Sequence, residues 1–326
     1  MDFENFYFTN FFKFFLKKAK INKVQKTFLQ GSLMALTDMV PGVSGSTIAL
    51  VLGFYQKLLT SIKNIEIISL FKFDFKKFIK SFDFTFLIPL IFGMIFSFLV
   101  FSKLLSFFLS HESLRAFFLS FFLGAVFSCI YTLLKEIKIS FYKLFLMLIG
   151  AIISFLISYF SVADVSLSLN LEIKLIVSGF IAIFAMLLPG ISGSLILVLF
   201  GVYPIIINAL SSIFNFESFK ILTLLAIGIF FGLLVFPKII LIFLEKYYFL
   251  VLSFLVGLMF GSIYALWPFW IYKKDVFANK SFLVATKLKI PEIFSLEFFF
   301  SLSFLILGFF IFFKIKQKFT KKLEKI

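Results

Sequence analysis

The sequence predicts an all-α polytopic membrane protein made of two inverted-topology repeats, each a re-entrant broken-helix hairpin followed by three transmembrane helices. Three observations predict it. Hydrophobic residues make up 62% of the 326, with 57 phenylalanines among them, and the mean hydropathy is +1.11, far above a soluble globular chain. Apolar runs recur at a length that crosses a bilayer, which takes about 20 helical residues. The lettering Asp38-Met39-Val40-Pro41-Gly42-Val43-Ser44-Gly45-Ser46-Thr47 returns as Pro189-Gly190-Ile191-Ser192-Gly193-Ser194, 148 positions on (189 − 41), and Gly53 and Tyr55 return as Gly201 and Tyr203 at the same offset.

Residues 1–26 read as a basic amphipathic segment lying in the membrane interface. Lys13, Lys17, Lys18 and Lys20 follow its aromatic residues and no small-residue cleavage site appears, so a signal peptide is not expected. Repeat 1 covers 27–171, with a re-entrant segment at 28–60 and spans at 84–109, 114–134 and 141–160. Repeat 2 covers 172–313, with a re-entrant segment at 173–213 and spans at 219–243, 247–271 and 294–313, before a basic tail at 314–326. The repetition reaches past the motif, because residues 93–103 match 228–238 and residues 124–131 match 257–264.

Each motif sets Pro-Gly inside an apolar run. Proline removes a backbone donor and glycine admits unusual dihedrals, so a helix should break there. The residues just after it open a new helix whose first N–H groups are free and attract anions. In hydrocarbon, such non-helical backbone is tolerated only inside protein or beside a watery cavity, so a paired break near the midplane points to a transport site.

The lysines choose between crossing and returning. Lys13 to Lys26 and Lys63 to Lys80 flank the first broken helix. A re-entrant path keeps both clusters cytoplasmic with Lys135, Lys138 and Lys143, and leaves the lysine-free 161–171 loop outside. Both termini then lie on the cytoplasmic side of the membrane. The basic 272–292 segment would be outside, against this trend. With its lysines in loops and tails, the net charge of +16 points to anionic lipid headgroups as a partner rather than nucleic acid.

The substrate-binding candidates are Pro41, Gly42, Ser44, Gly45, Ser46 and Thr47 with Pro189, Gly190, Ser192, Gly193 and Ser194, whose hydroxyls and N–H groups suit a phosphate. The same small residues also let membrane helices approach closely. Asp38, matched by Met186 in the second half, reads either as a protonatable coupling group or as a helix cap. Arg115, the only arginine, suits a bidentate phosphate contact or an interfacial anchor. Lys103 and Lys238, matched by the repeat, would receive a headgroup or snorkel to it. No catalytic residue, metal site or cofactor is expected: Cys129 and His111 are each the only residue of their kind, and His111 has no ligand-spaced neighbour.

These motifs, with Gly53-Phe54-Tyr55, Gly201-Val202-Tyr203, Gly257-Leu258-Met259-Phe260-Gly261-Ser262 and Leu266-Trp267-Pro268, resemble the bacterial polyprenyl-phosphate transporter family over most of residues 28–313. The resemblance implies a flippase that returns undecaprenyl phosphate, the carrier lipid of cell-wall sugars, from the outer to the cytoplasmic leaflet. Undecaprenyl-diphosphate phosphatases carry a similar Pro-Gly-x-Ser motif, but with arginine where Gly45 and Gly193 stand here. Without that charge or an intramembrane base, phosphoryl chemistry lacks its usual parts. A carrier of small inorganic anions would use the same half-helix ends.

Overall fold

The computed structural model describes residues 23–320 apart from residues 41, 67, 68, 70–72, 163–169, 213, 278, 279 and 293. Most of the interfacial lead-in, Pro41 and the end of the basic tail therefore lie outside the described residues.

Each motif breaks a helix as its Pro-Gly demands. The first broken helix comprises α1 (Lys23–Asp38), α2 (Gly45–Val51) and α3 (Tyr55–Lys63), followed by the short α4 (Phe75–Ser81). Three long helices come next, α5 (Phe84–Ser110), α6 (Glu112–Leu134) and α7 (Phe141–Val162). The second broken helix comprises α8 (Leu171–Leu187), α9 (Gly193–Leu199) and α10 (Tyr203–Ser211). The chain closes with α11 (Phe216–Ser262), strands β1 (Trp270–Phe277) and β2 (Lys280–Leu288), and α12 (Leu296–Thr320).

α1 and α8 have 16 and 17 residues, which reach about 25 Å and fall short of a hydrocarbon core about 30 Å thick. After each motif the chain folds back. A Cβ on Gly45 would strike the Met34 carbonyl, and one on Gly193 would meet the Ala182 carbonyl, so α2 and α9 lie against the helices they follow. A further bend of 112° separates α9 from α10. It turns at Gly201, with φ +66°, and Gly53 takes φ +75° at the matching place.

Five helices, α5, α6, α7, α11 and α12, contain apolar segments long enough to cross a membrane, and the protein is a multi-pass membrane protein. With 47 residues, α11 would be about 70 Å long, roughly twice the membrane. Its backbone leaves the helical region at Tyr247 (φ −136°, ψ 44°), so it is two helices end to end.

Two expectations need correction. The span placed at 247–271 stops at Ser262, because the chain turns through residues 263–269 to bury Leu266 beneath Gly42, and Pro268 has no donor with which to continue a helix. The fold is also not wholly α: much of the basic 272–292 segment belongs to an antiparallel hairpin, pairing Trp270 with Leu288 at its base and bulged between Ile271 and Tyr272.

Glycines set which helices touch. Gly31 of α1 lies against the Leu90 carbonyl of α5 and Gly93 of α5 against that of Phe28; Gly179 of α8 and Gly228 of α11 repeat this with Leu225 and Ile176. Gly124 of α6 meets Leu305 of α12, while Gly257 of α11 meets Met147 of α7. The last helix of each half thus packs on the other half. Close contact of this kind drives association where water supplies no hydrophobic force. Hydroxyls reinforce the α1–α5 seam: Ser32 donates to the Gly93 carbonyl at 3.1 Å and Ser97 to that of Ser32 at 2.9 Å.

Candidate functional site

The two motifs touch each other inside the helix bundle. Gly42 (φ +83°) and Gly190 (φ +87°) turn the chain at the tips in the left-handed region that other residues avoid. Ser44 begins α2 and Ser192 begins α9, both with extended backbone and neither capping its own helix through its side chain.

Instead, the first motif spends its hydroxyls on the second. Ser44 Oγ donates to the Met186 carbonyl at 3.2 Å. A hydroxyl has one proton, so in the 2.7 Å bond between Ser44 and Ser46 the donor is Ser46. Thr47 Oγ1 accepts from the Gly190 N–H at 3.1 Å, and the Tyr55 hydroxyl donates to the Leu187 carbonyl at 2.7 Å. Three side chains of the first half thereby satisfy backbone groups freed at the second break, which buried polar groups require. Ser154 of α7 adds a fourth bond, donating to the Gly190 carbonyl at 3.1 Å.

The second motif does not reciprocate. Ser192 and Ser194 make the same 2.7 Å pair, and among the described residues it leads no further. Leu195 stands where Thr47 does, and among the described residues Tyr203 makes no bond like that of Tyr55. The N-termini of the half-helices differ too. Asp38 Oδ1 accepts from the Gly45 N–H at 2.6 Å, leaving Asp38 Oδ2 buried without a partner among the described residues. Met186 offers no such group to Gly193.

Exposure follows the same division. Ser44, Ser46 and Thr47 are buried, as is Ser192, whereas Gly193, Ser194 and Leu195 are partly exposed. The second motif thus leaves the Ser194 hydroxyl and the first N–H groups of a helix partly exposed, with the buried Ser192 hydroxyl bonded behind them, in a largely apolar bundle. That set can accept an oxyanion, and since α9 has only seven residues the local N–H groups matter more than any long-range dipole.

The structure brings Asp38, Gly42, Ser44, Gly45, Ser46 and Thr47 together with Gly190, and Ser192, Gly193 and Ser194 adjoin them along the chain. It does not bring Arg115, Lys103 or Lys238 to them. Arg115 is buried, stacks its guanidinium 3.9 Å from the centre of the Tyr272 ring and donates to the Leu109 carbonyl at 3.1 Å. Burial pushes the Tyr272 hydroxyl pKa upward, with Arg115 opposing it. Lys103 and Lys238 stand exposed on the long helices. Sequence reasoning missed Tyr55 and Ser154 as clasping residues. The recurrence of Tyr55 as Tyr203 was a signal for the first; Ser154, in an unbroken apolar run, gave none.

Comparison with known proteins adds the following. A family profile described as undecaprenyl phosphate translocase-like matches residues 34–282. A polyprenyl-phosphate transporter of Vibrio cholerae serotype O1 is 36% identical over 251 residues, covering 74% of this chain and 77% of that protein. A polyprenyl-phosphate transporter of Staphylococcus aureus is 36% identical over 254 residues, covering 74% and 85%. No solved structure matches the chain.

Proposed function

The chain belongs to the undecaprenyl phosphate translocase-like family, and from that premise we propose that it is a flippase returning undecaprenyl phosphate from the outer to the cytoplasmic leaflet of a bacterial inner membrane. The lipid is carried unchanged and no catalytic group takes part. The observation that carries this reading is the half-open second motif, where Ser192, Ser194 and the Gly193 N–H meet no competing carboxylate among the described residues. Asp38 already occupies the equivalent place at the first motif. The phosphate therefore engages Ser192, Gly193 and Ser194, while Ser44 and Thr47 of the first motif clasp the second tip. The polyprenyl tail stays in lipid and only the headgroup needs shelter.

In this reading the two halves are inverted, residues 27–171 against 172–313, and the hairpins enter from opposite faces. The ion pairs support it. Glu136 and Lys316, 2.9 Å apart, join the ends of α6 and α12 where α7 begins. Glu172 and Lys220, 2.6 Å apart, join the starts of α8 and α11 where α7 stops. The second hairpin thus starts at the end of the bundle away from Glu136. The face carrying Glu136, Lys138 and both termini is cytoplasmic, with anionic lipids around its lysines.

The test is transbilayer movement of labelled undecaprenyl phosphate in liposomes containing the purified protein, beside a Ser192→Leu variant, with released phosphate assayed in the same samples. Movement that the variant loses, without phosphate release, is expected. Phosphate release without movement would return the protein to the phosphatases, and inhibition by equimolar inorganic phosphate would make it a small-anion carrier.

A further inference from the structure

A cavity of about 600 Å³ opens between α7, the end of α11 and the residues leaving β2. Ala151, Ile152 and Phe155 form one wall, Gly261 and Tyr264 the other, and Lys289 stands at one edge. Apart from Lys289, the Tyr264 hydroxyl and the Trp267 indole N–H its side chains are apolar, and no carboxylate lines it.

The groove wall is mechanically tied to the second motif. Ser154, between Ala151 and Phe155 on α7, is the residue that donates to the Gly190 carbonyl. Gly261 brings the two helices into contact, because a Cβ there would strike the Ala151 carbonyl and the Ser154 side chain. The backbone of Lys289 is pinned, its N–H donating to the Phe269 carbonyl at 2.9 Å and its own carbonyl accepting from Trp267 Nε1 at 3.2 Å. Its ammonium forms no ion pair among the described residues. Glu112 and Glu297 share a narrow hollow with Lys289 and Arg115 and do not line the groove.

We propose that this groove holds the part of the polyprenyl chain nearest the phosphate, with Lys289 receiving the phosphate before it passes to Ser192 and Ser194. The inference rests on the transport reading above and adds the waiting position of the substrate. One apolar channel with one cation at its rim matches a single-chain lipid with a single anionic headgroup, and a two-chain phospholipid would leave a chain unhoused. A pocket of this volume is of small-molecule size, so the distal chain remains in the bilayer. A second groove of about 440 Å³, at the Tyr247 kink, is lined only by apolar residues and Tyr247 and offers no cation to a headgroup.

The test uses the whole protein in phosphatidylcholine vesicles, with a photoreactive benzophenone residue placed at Ile152 or, as a control, at Leu156, a lipid-facing position of α7 outside the groove. Undecaprenyl phosphate is the probe, with phosphatidic acid or more undecaprenyl phosphate as competitor. Capture at Ile152 is expected to exceed that at Leu156 about tenfold, to be displaced by undecaprenyl phosphate and not by phosphatidic acid, and to fall about fivefold in Lys289→Gln. Equal capture at both positions, or equal displacement by both lipids, would reduce the groove to ordinary lipid contact and overturn the proposal. Transport measured on wild-type protein in the same vesicles separates the two readings: movement without selective capture sinks only the groove, and selective capture without movement sinks only the flippase.

Discussion

The two motifs share their lettering yet are used differently. In the first, Ser44, Ser46 and Thr47 are buried, Ser44 and Thr47 bond to the other half, and Asp38 caps the new helix. In the second, the matching serines bond only to each other among the described residues, and the start of the half-helix is partly exposed. A doubled motif is therefore not two equal devices. One copy clasps the tip of the other and receives no bond in return, and two departures from the repeat, Asp38 against Met186 and Thr47 against Leu195, accompany the difference.

This contrast can be broken by mutation, beginning with the tips. Gly190→Ala adds a Cβ against the α11 backbone at Leu258 and Met259 in a left-handed conformation; it is expected to cost about 3 kcal/mol or more in detergent unfolding. Gly42→Ala meets mainly the Ala265 side chain and Leu266 and should cost about 2 kcal/mol. Equal costs would mean that the tips are equally constrained.

Next in size is the transplanted acid. Met186→Asp places a carboxylate where it can take the Gly193 N–H, as Asp38 takes that of Gly45. Transport in liposomes should fall about thirtyfold, roughly 2 kcal/mol, with the folded protein retained. Undiminished transport would show that the second half-helix end is not the phosphate site.

The serine pairs give a smaller and more selective difference. Ser192→Ala with Ser194→Ala should raise the half-saturating lipid concentration about tenfold while the unfolding midpoint barely moves. Ser44→Ala with Ser46→Ala should do the reverse, lowering stability by about 1–3 kcal/mol because the Met186 carbonyl loses its donor. The same outcome for both pairs would erase the distinction between clasp and receptor.

The smallest effect is expected at the end of the second hairpin. Lys220 and Glu172 are about half exposed, so Lys220→Ala should change stability by at most about 0.5 kcal/mol. A larger loss would show that this pair holds α8 in place.

Sequence by itself determined the membrane class and the helix breaks. Hydrocarbon leaves a chain few choices: backbone must satisfy itself in helices, and Pro-Gly within an apolar run must break one. The matched Gly31 and Gly179, and Gly93 and Gly228, also mark in one dimension the surfaces where helices meet. The end of α11 was misjudged because residues 263–271 are nearly as apolar as the helix before them, and only burial of Leu266 against Gly42 reveals a turn there. The β1–β2 hairpin was hidden because strand pairing joins residues up to 18 apart, such as Trp270 with Leu288, and leaves no mark in lysine counts. What tertiary structure alone decided is which motif is open. Hydrogen bonds that join Ser44, Thr47 and Tyr55 with residues more than 130 positions away consume one set of groups and spare the other. Two segments with the same letters can be told apart only by what stands across from each.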